Sequence, residues 1–155
     1  MSETVFSYSQ LSSFTRSVFL AMGCSAEDAE LATNVLLSAD VRGIDSHGIA
    51  RLSGYVRLWE AKRVNATPTV TILHQTPSTA TVDGDSGLGL VGAPKAMQIA
   101  IDKAKAVGTG WVSVQGSNHF GIAGYHAMMA LEEDMIGICM TNASPLVAPT
   151  FSIER

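Results

Sequence analysis

The second half of the chain alternates between short apolar runs and helical patterns, and this alternation constrains the fold more than any other feature. Strands are predicted at residues 78–82, 111–115 and 136–140, with helices at 94–107 and about 120–133 between them. Strands that alternate with helices build a largely parallel sheet. The pattern therefore predicts an α/β arrangement.

The N-terminal part shows helical periodicity instead. Three helices are predicted, and the third runs from Asp45 to about Lys62. Ser25, with Asp28 three residues later, resembles a capping box and begins the second helix. Apolar residues at helical spacing give this second helix a stripe for the core: Ala29, Ala32, Val35, Leu36 and Ala39.

These patterns divide the chain into three parts. Residues 1–64 form an N-terminal helical subdomain. Residues 65–77 hold two prolines and show no clear period, which indicates a connector or an extended arm. Residues 78–155 form the first part of a mixed or parallel-sheet domain. The predicted fold class is thus α/β, with α+β character at the N-terminus.

Composition excludes several classes of protein. An apolar fraction of 46% is enough for a core, and a net charge of −4 without any basic cluster argues against a nucleic-acid partner. No apolar run approaches the ~18 residues of a membrane span, and no signal-peptide pattern is found. Cys24 and Cys139 form no Cys-x-x-Cys pair, which indicates reduced thiols in a cytoplasmic protein.

Residues 41–55 contain a row of side chains suited to chemistry. His47, Arg51 and Tyr55 follow each other at a spacing of four, so a helix that begins at Asp45 places them on one face. A proton donor, a fixed cation and a phenol together suit a small anionic substrate. The alternative is that these side chains are solvated charges on an exposed helix.

Residues 87–92 match G-x-G-x-x-G and lie between a predicted strand and a predicted helix. A dinucleotide-binding turn also requires an acidic residue about 20 positions later. Residues 107–115 contain no Asp or Glu, and the glycines begin several residues after the strand. Turn formation and close helix–strand packing explain these glycines better than phosphate binding.

Ser117-Asn118-His119 follows the second predicted strand and precedes a helix. Ligands of open α/β sheets bind outside the carboxyl ends of the strands, so this trio is well placed for function, although a loop histidine can also be merely solvated. His126 lies inside the next helix, where a structural role is favoured. Because no two histidines stand three or four residues apart, no metal site is predicted.

Several blocks of the sequence resemble one family. They are residues 42–48 (Arg-Gly-Ile-Asp-Ser-His-Gly) with Arg51 and Tyr55, 117–121 (Ser-Asn-His-Phe-Gly), and 141–145 (Thr-Asn-Ala-Ser-Pro). Their order and spacing are similar to those of the malate/L-lactate dehydrogenase family of 2-hydroxyacid oxidoreductases, which includes ureidoglycolate, sulfolactate and diketogulonate reductases. The resemblance implies a fold different from the Rossmann fold.

The resemblance also implies roles for individual residues. His47 is the proton donor or acceptor in several members, whereas others assign that role to the residue matching His119. Arg51 is expected to hold the substrate carboxylate. Ser46 and Tyr55 are further substrate-binding candidates, and Tyr55 has a supporting or packing role. The cofactor-binding candidates are Asn142, Ala143 and Ser144.

The implied function is an NAD- or NADP-dependent oxidoreductase that acts on a small 2-hydroxy or 2-keto acid, as a cytoplasmic homodimer in its full-length form. Members of the family are considerably longer, so we expect Arg155 to end a truncated chain that is inactive and poorly stable by itself. The alternative is a non-catalytic remnant that binds a small acid or a partner subunit.

Overall fold

The computed structural model describes residues 5–142, and in them helices pack against a small mixed sheet. The elements are α1 (Tyr8–Ala21), α2 (Ala26–Val41), two 3₁₀ turns (Asp45–His47 and Ile49–Arg51), α3 (Leu52–Glu60), β1 (Thr71–Gln75), β2 (Thr79–Gly87), α4 (Gly89–Val107), β3 (Trp111–Ser117), α5 (Ala123–Met129) and a last 3₁₀ turn (Ala130–Glu133). This arrangement confirms the predicted mixed α/β class.

The sheet has the order β1-β2-β3. Strand β2 is parallel to β3, with Thr79 opposite Trp111, and α4 is the crossover between them. Strand β1 pairs antiparallel with β2 and lies within residues 65–77, which the sequence indicated as a connector or arm. The sheet is therefore mixed, because β1 adds an antiparallel edge to the predicted parallel pair.

Helix α2 is the centre of the core. Every residue of its predicted apolar stripe is fully buried, and α1, α3 and the start of α4 contribute further core side chains, including Phe19, Tyr55, Leu90 and Val91. Burying one such large apolar side chain stabilises the fold by roughly 1.5–3 kcal/mol. The Ser25 hydroxyl accepts a hydrogen bond from the Asp28 amide at 3.0 Å, so the predicted N-cap is present.

The predicted third helix is wrong in its first half. Instead of one helix from Asp45, the chain makes the two 3₁₀ turns and becomes α-helical only at Leu52. Gly48, at φ −90° and ψ −144°, separates the two turns. His47 and Arg51 therefore stand on 3₁₀ turns, and only Tyr55 stands on an α-helix.

The predicted strand at 136–140 is also absent. These residues have no strand partner within the described part of the chain, and Ile136 and Met140 are 92% and 75% exposed. The Gly137 backbone instead lies against the Ala127 carbonyl of α5, where no Cβ could fit. A run of apolar residues becomes a strand only when another backbone offers hydrogen bonds, which local sequence does not reveal.

Helix α4 begins at Gly89, five residues before the predicted start at Pro94. Strand β2 continues through the predicted turn at 83–87, with Asp85 and Ser86 at positive φ where the pairing with β3 is irregular. A Cβ on Gly89 would collide with the carbonyl oxygens of Asn118 and His119. Close packing thus explains this glycine, although its partner is the loop after β3 and not the predicted strand.

A substitution of Gly89 tests this packing. We expect Gly89→Ala to lower the free energy of unfolding by about 1–3 kcal/mol, because the added methyl group forces the 118–119 loop away from α4. Gly124→Ala is the matched control, since a Cβ added to Gly124 in α5 would meet nothing within 4 Å, and we expect it to be neutral or stabilising by up to about 1 kcal/mol. Urea denaturation measures both; equal effects would contradict the packing argument.

Candidate active site

Five of the sequence-predicted site residues lie in one cluster between the helical part and the end of β3. Ser46, His47 and Arg51 come from the 3₁₀ turns after α2, Tyr55 comes from α3, and His119 comes from the loop after β3. The Tyr55 hydroxyl and His119 Nδ1 are 2.7 Å apart, which joins segments 64 positions apart in sequence. The rings of His47 and His119 stack with their centroids 5.5 Å apart.

The contacts of His119 assign its tautomer. The Gly121 amide donates a hydrogen bond to Nδ1 at 3.3 Å, so this nitrogen carries a lone pair. Tyr55 is only 2% exposed, and burial raises the pKa of its phenol well above the usual range, while the charge of Arg51 opposes the rise. The phenol therefore keeps its proton and donates a hydrogen bond to the same Nδ1. The neutral His119 ring carries its proton on Nε2.

The charge state of His119 depends on its neighbours. Burial lowers its pKa, and the positive charges of His47 and Arg51 lower it further. A neutral imidazole with its N–H at Nε2 is a hydrogen-bond donor that does not itself take up a proton readily near pH 7. The other histidine of the cluster, His47, has its Nδ1 2.8 Å from the Ser46 hydroxyl.

Arg51 is oriented by the backbone. Its Nε donates a hydrogen bond to the Ser46 carbonyl oxygen at 2.6 Å. Within residues 5–142 no hydrogen bond is made by Nη1 or Nη2, and two parallel N–H groups match the two oxygens of a carboxylate. The Arg51 side chain is exposed, as a side chain that binds an incoming anion must be.

Several hydrogen bonds and one stacking contact hold the loop that carries His119. The Asn118 side-chain amide donates to the carbonyl oxygens of Ser86 at 2.9 Å and Gly87 at 3.0 Å. Gly121 has φ +79°, a conformation that favours glycine. The buried His126 has its Nε2 2.9 Å from the Phe120 carbonyl oxygen and stacks on the Phe120 ring. His126 thus has a structural role, as predicted.

One residue at this site was not among the sequence candidates. The carboxylate of Asp40, near the end of α2, accepts a hydrogen bond from the Ile49 amide at 2.8 Å. Periodicity could not reveal this contact, because the two residues are joined through a loop. Gly48 was the available signal, since a glycine between His47 and Ile49 indicates a close approach to another group.

The three predicted cofactor-binding residues lie at or beyond the end of the described residues. Asn142 is exposed at the end of the described residues, and Ala143 and Ser144 lie outside them. In the G-x-G-x-x-G segment, the backbone carbonyl groups of Asn118 and His119 lie against Gly89 at the start of α4. Within residues 5–142, no three His, Cys, Asp or Glu side chains come together as metal ligands, and none of the helices combines the length and apolar character of a membrane span.

Comparison with known proteins identifies the family. The family model described as malate/L-lactate dehydrogenase matches residues 6–155. The chain belongs to the malate/L-lactate dehydrogenase family. It is 49% identical over 146 residues to the malate dehydrogenase of Pyrococcus abyssi, covering 94% of this chain and 40% of that protein. It is 45% identical over 138 residues to the L-sulfolactate dehydrogenase of Methanocaldococcus jannaschii, covering 89% and 40%.

The fold agrees with this family. The solved structure of malate dehydrogenase from Pyrococcus horikoshii OT3 superposes with a TM-score of 0.87 at 45% identity, covering all of this chain and 47% of that one. The family resemblance seen in the sequence is confirmed. The chain spans about 40% of the length of the curated relatives that it matches.

The electrostatics of the cluster can be tested by titration. We expect Arg51→Met to raise the pKa of His119, because one positive charge that opposes its protonation is removed. The rise is partial, since burial is the larger cause and remains. NMR signals of the His119 ring followed against pH measure the change. Arg57→Met on α3 is the control and leaves the pKa unchanged; an equal shift in both variants would contradict the assignment.

Proposed function

We propose that this chain carries the substrate-binding and proton-transfer residues of a nicotinamide-dependent oxidoreductase that interconverts small 2-keto and 2-hydroxy acids. The observation that carries the proposal is the cluster around His119. His47 stacks on the His119 ring, Tyr55 is hydrogen-bonded to it, and the charge of Arg51 acts on it. Relatives named malate and sulfolactate dehydrogenases support the substrate class.

The chemistry needs three things from these residues. Reduction of a 2-keto acid adds a hydride to the carbonyl carbon, and the carbonyl oxygen gains negative charge and then a proton. Arg51 binds the substrate carboxylate through its two Nη groups and so fixes the reacting carbon. A donor must stabilise the charge on the oxygen, and an acid must supply the proton.

The two histidines divide these tasks. His119 presents Nε2–H in its neutral form, so it donates a hydrogen bond to the carbonyl oxygen, and Tyr55 keeps it in that tautomer. His47 supplies the proton during reduction and accepts it during oxidation. A depressed His119 pKa supports this division, because a ring that stays neutral polarises a carbonyl without competing for the proton.

The cofactor in this proposal is NAD or NADP, which supplies or receives the hydride when bound. Because the start of α4 is covered by the 118–119 loop, we propose a fold other than the Rossmann fold, with Asn142, Ala143 and Ser144 beside the nicotinamide. The domain division is likewise proposed: a helical subdomain at 1–64, a connector at 65–77 that contributes β1 to the sheet, and the first part of a cofactor domain at 78–155.

We further propose a cytoplasmic homodimer for the full-length enzyme. The described cysteines, Cys24 and Cys139, are both free, which supports a reducing compartment. Burial and the neighbouring Asp28 raise the pKa of the Cys24 thiol to about 11, so this cysteine is an unreactive core residue.

Kinetics of the complete gene product test these roles, with oxaloacetate and pyruvate as substrates and NADH and NADPH as reductants. We expect His47→Gln to lower kcat by ~100-fold or more, because glutamine cannot transfer a proton. His119→Ala lowers kcat by a similar factor, whereas His119→Gln retains much of the activity through its side-chain N–H. Arg51→Met raises KM about 10- to 100-fold through loss of charge-assisted hydrogen bonds.

The controls are His74→Gln on the exposed strand β1 and Arg57→Met on α3, neither of which lies in the cluster. If His119→Gln is as damaging as His119→Ala while His47→Gln is mild, His119 is the acid and the division of roles is wrong. If no substrate turns over but a keto acid still shifts the ring signals of His47 and His119, the chain is a non-catalytic acid-binding module.

A further inference from the structure

We propose that Asp40 is a positioning residue, which holds His47 and Arg51 at the distance and orientation that the reaction needs. The inference rests on the proposed function of these two residues and adds a third to it from outside the cluster. Its basis is the arrangement of Asp40, Gly48 and Ile49.

Two independent observations place the Asp40 carboxylate on the backbone between His47 and Arg51. Its Oδ2 accepts the Ile49 amide hydrogen bond at 2.8 Å. The carboxylate also occupies the space in which a Cβ on Gly48 would lie, so any other side chain at position 48 would have to displace the Asp40 side chain and disturb its hydrogen bond to Ile49. The backbone at Gly48 therefore lies against the Asp40 carboxylate, with glycine leaving room for this side chain.

This contact controls both functional side chains because of where Gly48 lies. His47 precedes Gly48 directly, and the Arg51 amide donates to the Gly48 carbonyl oxygen at 2.9 Å. A shift of Gly48 away from α2 thus moves the His47 backbone and the turn that carries Arg51 together. Misplacement by about 1 Å can lower a rate by roughly 100-fold.

The end of helix α2 is held in place by burial and hydrogen bonds, so it can fix the position of Asp40. Ala39, beside Asp40, is fully buried, and its carbonyl oxygen accepts the Ile44 amide at 2.9 Å, while the Asp40 carbonyl oxygen accepts the Gly43 amide at 3.0 Å. These two bonds hold the start of the loop on the end of α2, and the Asp40 carboxylate holds Ile49 at its far end.

The test combines single and double variants of the complete gene product. We expect Asp40→Ala to raise KM for oxaloacetate about tenfold or more and to shift the His47 ring signals in NMR spectra recorded without substrate. Asp40→Asn restores most of the KM, because an amide oxygen still accepts the Ile49 hydrogen bond. Asp28→Ala is the matched control on the same helix, because it removes a carboxylate that forms a salt bridge with Lys95 Nζ at 2.7 Å. We expect this control to leave KM and the His47 ring signals unchanged.

The double variant tests the geometry itself. Gly48→Ala lowers Tm and raises KM in the parent protein, because its methyl group meets the carboxylate. In the Asp40→Ala background the methyl group enters vacated space, so its effect on Tm and KM is much smaller, and the two substitutions are not additive. Asp40→Ser, which also vacates the space, replaces Asp40→Ala if that variant does not fold.

Two results would overturn the inference: additive effects of the Asp40 and Gly48 substitutions, or the same change in KM and His47 signals in Asp40→Ala as in Asp28→Ala. The Tm coupling and the ring signals are read without substrate. A parent protein that reduces no keto acid would thus count against the proposed function, while these two measurements still decide whether Asp40 holds the loop.

Discussion

The burial of α2 between α1, α3 and α4 is the interaction on which the rest of the structure depends. Ala29, Ala32 and Ala39 on its buried face are small, which lets the neighbouring elements approach closely, while Val35 and Leu36 fill the space between them. Because the end of α2 also carries Asp40, the same helix that forms the core sets the position of the loop with His47. Core packing and site geometry are therefore linked through one element.

The site itself is assembled from a local and a distant part. His47, Arg51 and Tyr55 were found from their spacing, although the helix expected to align them is broken at Gly48. They remain close because Arg51 Nε donates to the Ser46 carbonyl oxygen, while His47 and Tyr55 both contact His119. His119 joins them only through the fold, by its hydrogen bond to Tyr55 and its stacking on His47. The phenol, expected from the sequence to bind substrate, thereby sets the tautomer of a ring 64 positions away.

Predictions succeeded where the cause was local and failed where the partner was distant. The α2 stripe and the Ser25 cap follow from spacing within a few residues, and both are present. The strand expected at 136–140 is absent because a strand needs a second backbone to pair with. Helix α4 begins five residues before its expected start, at Gly89, which packs against the 118–119 loop.

The sequence by itself determined the family, the α/β class and the residues worth examining, since these depend on periodicity and on motifs that are read along the chain. Only the tertiary structure decided what each residue does in relation to the others. It assigned the His119 tautomer, joined Arg51 Nε to the Ser46 carbonyl oxygen, and placed the Asp40 carboxylate against Gly48. The physical reason is that hydrogen bonds and burial act across space, between residues whose separation in sequence carries no information about their distance.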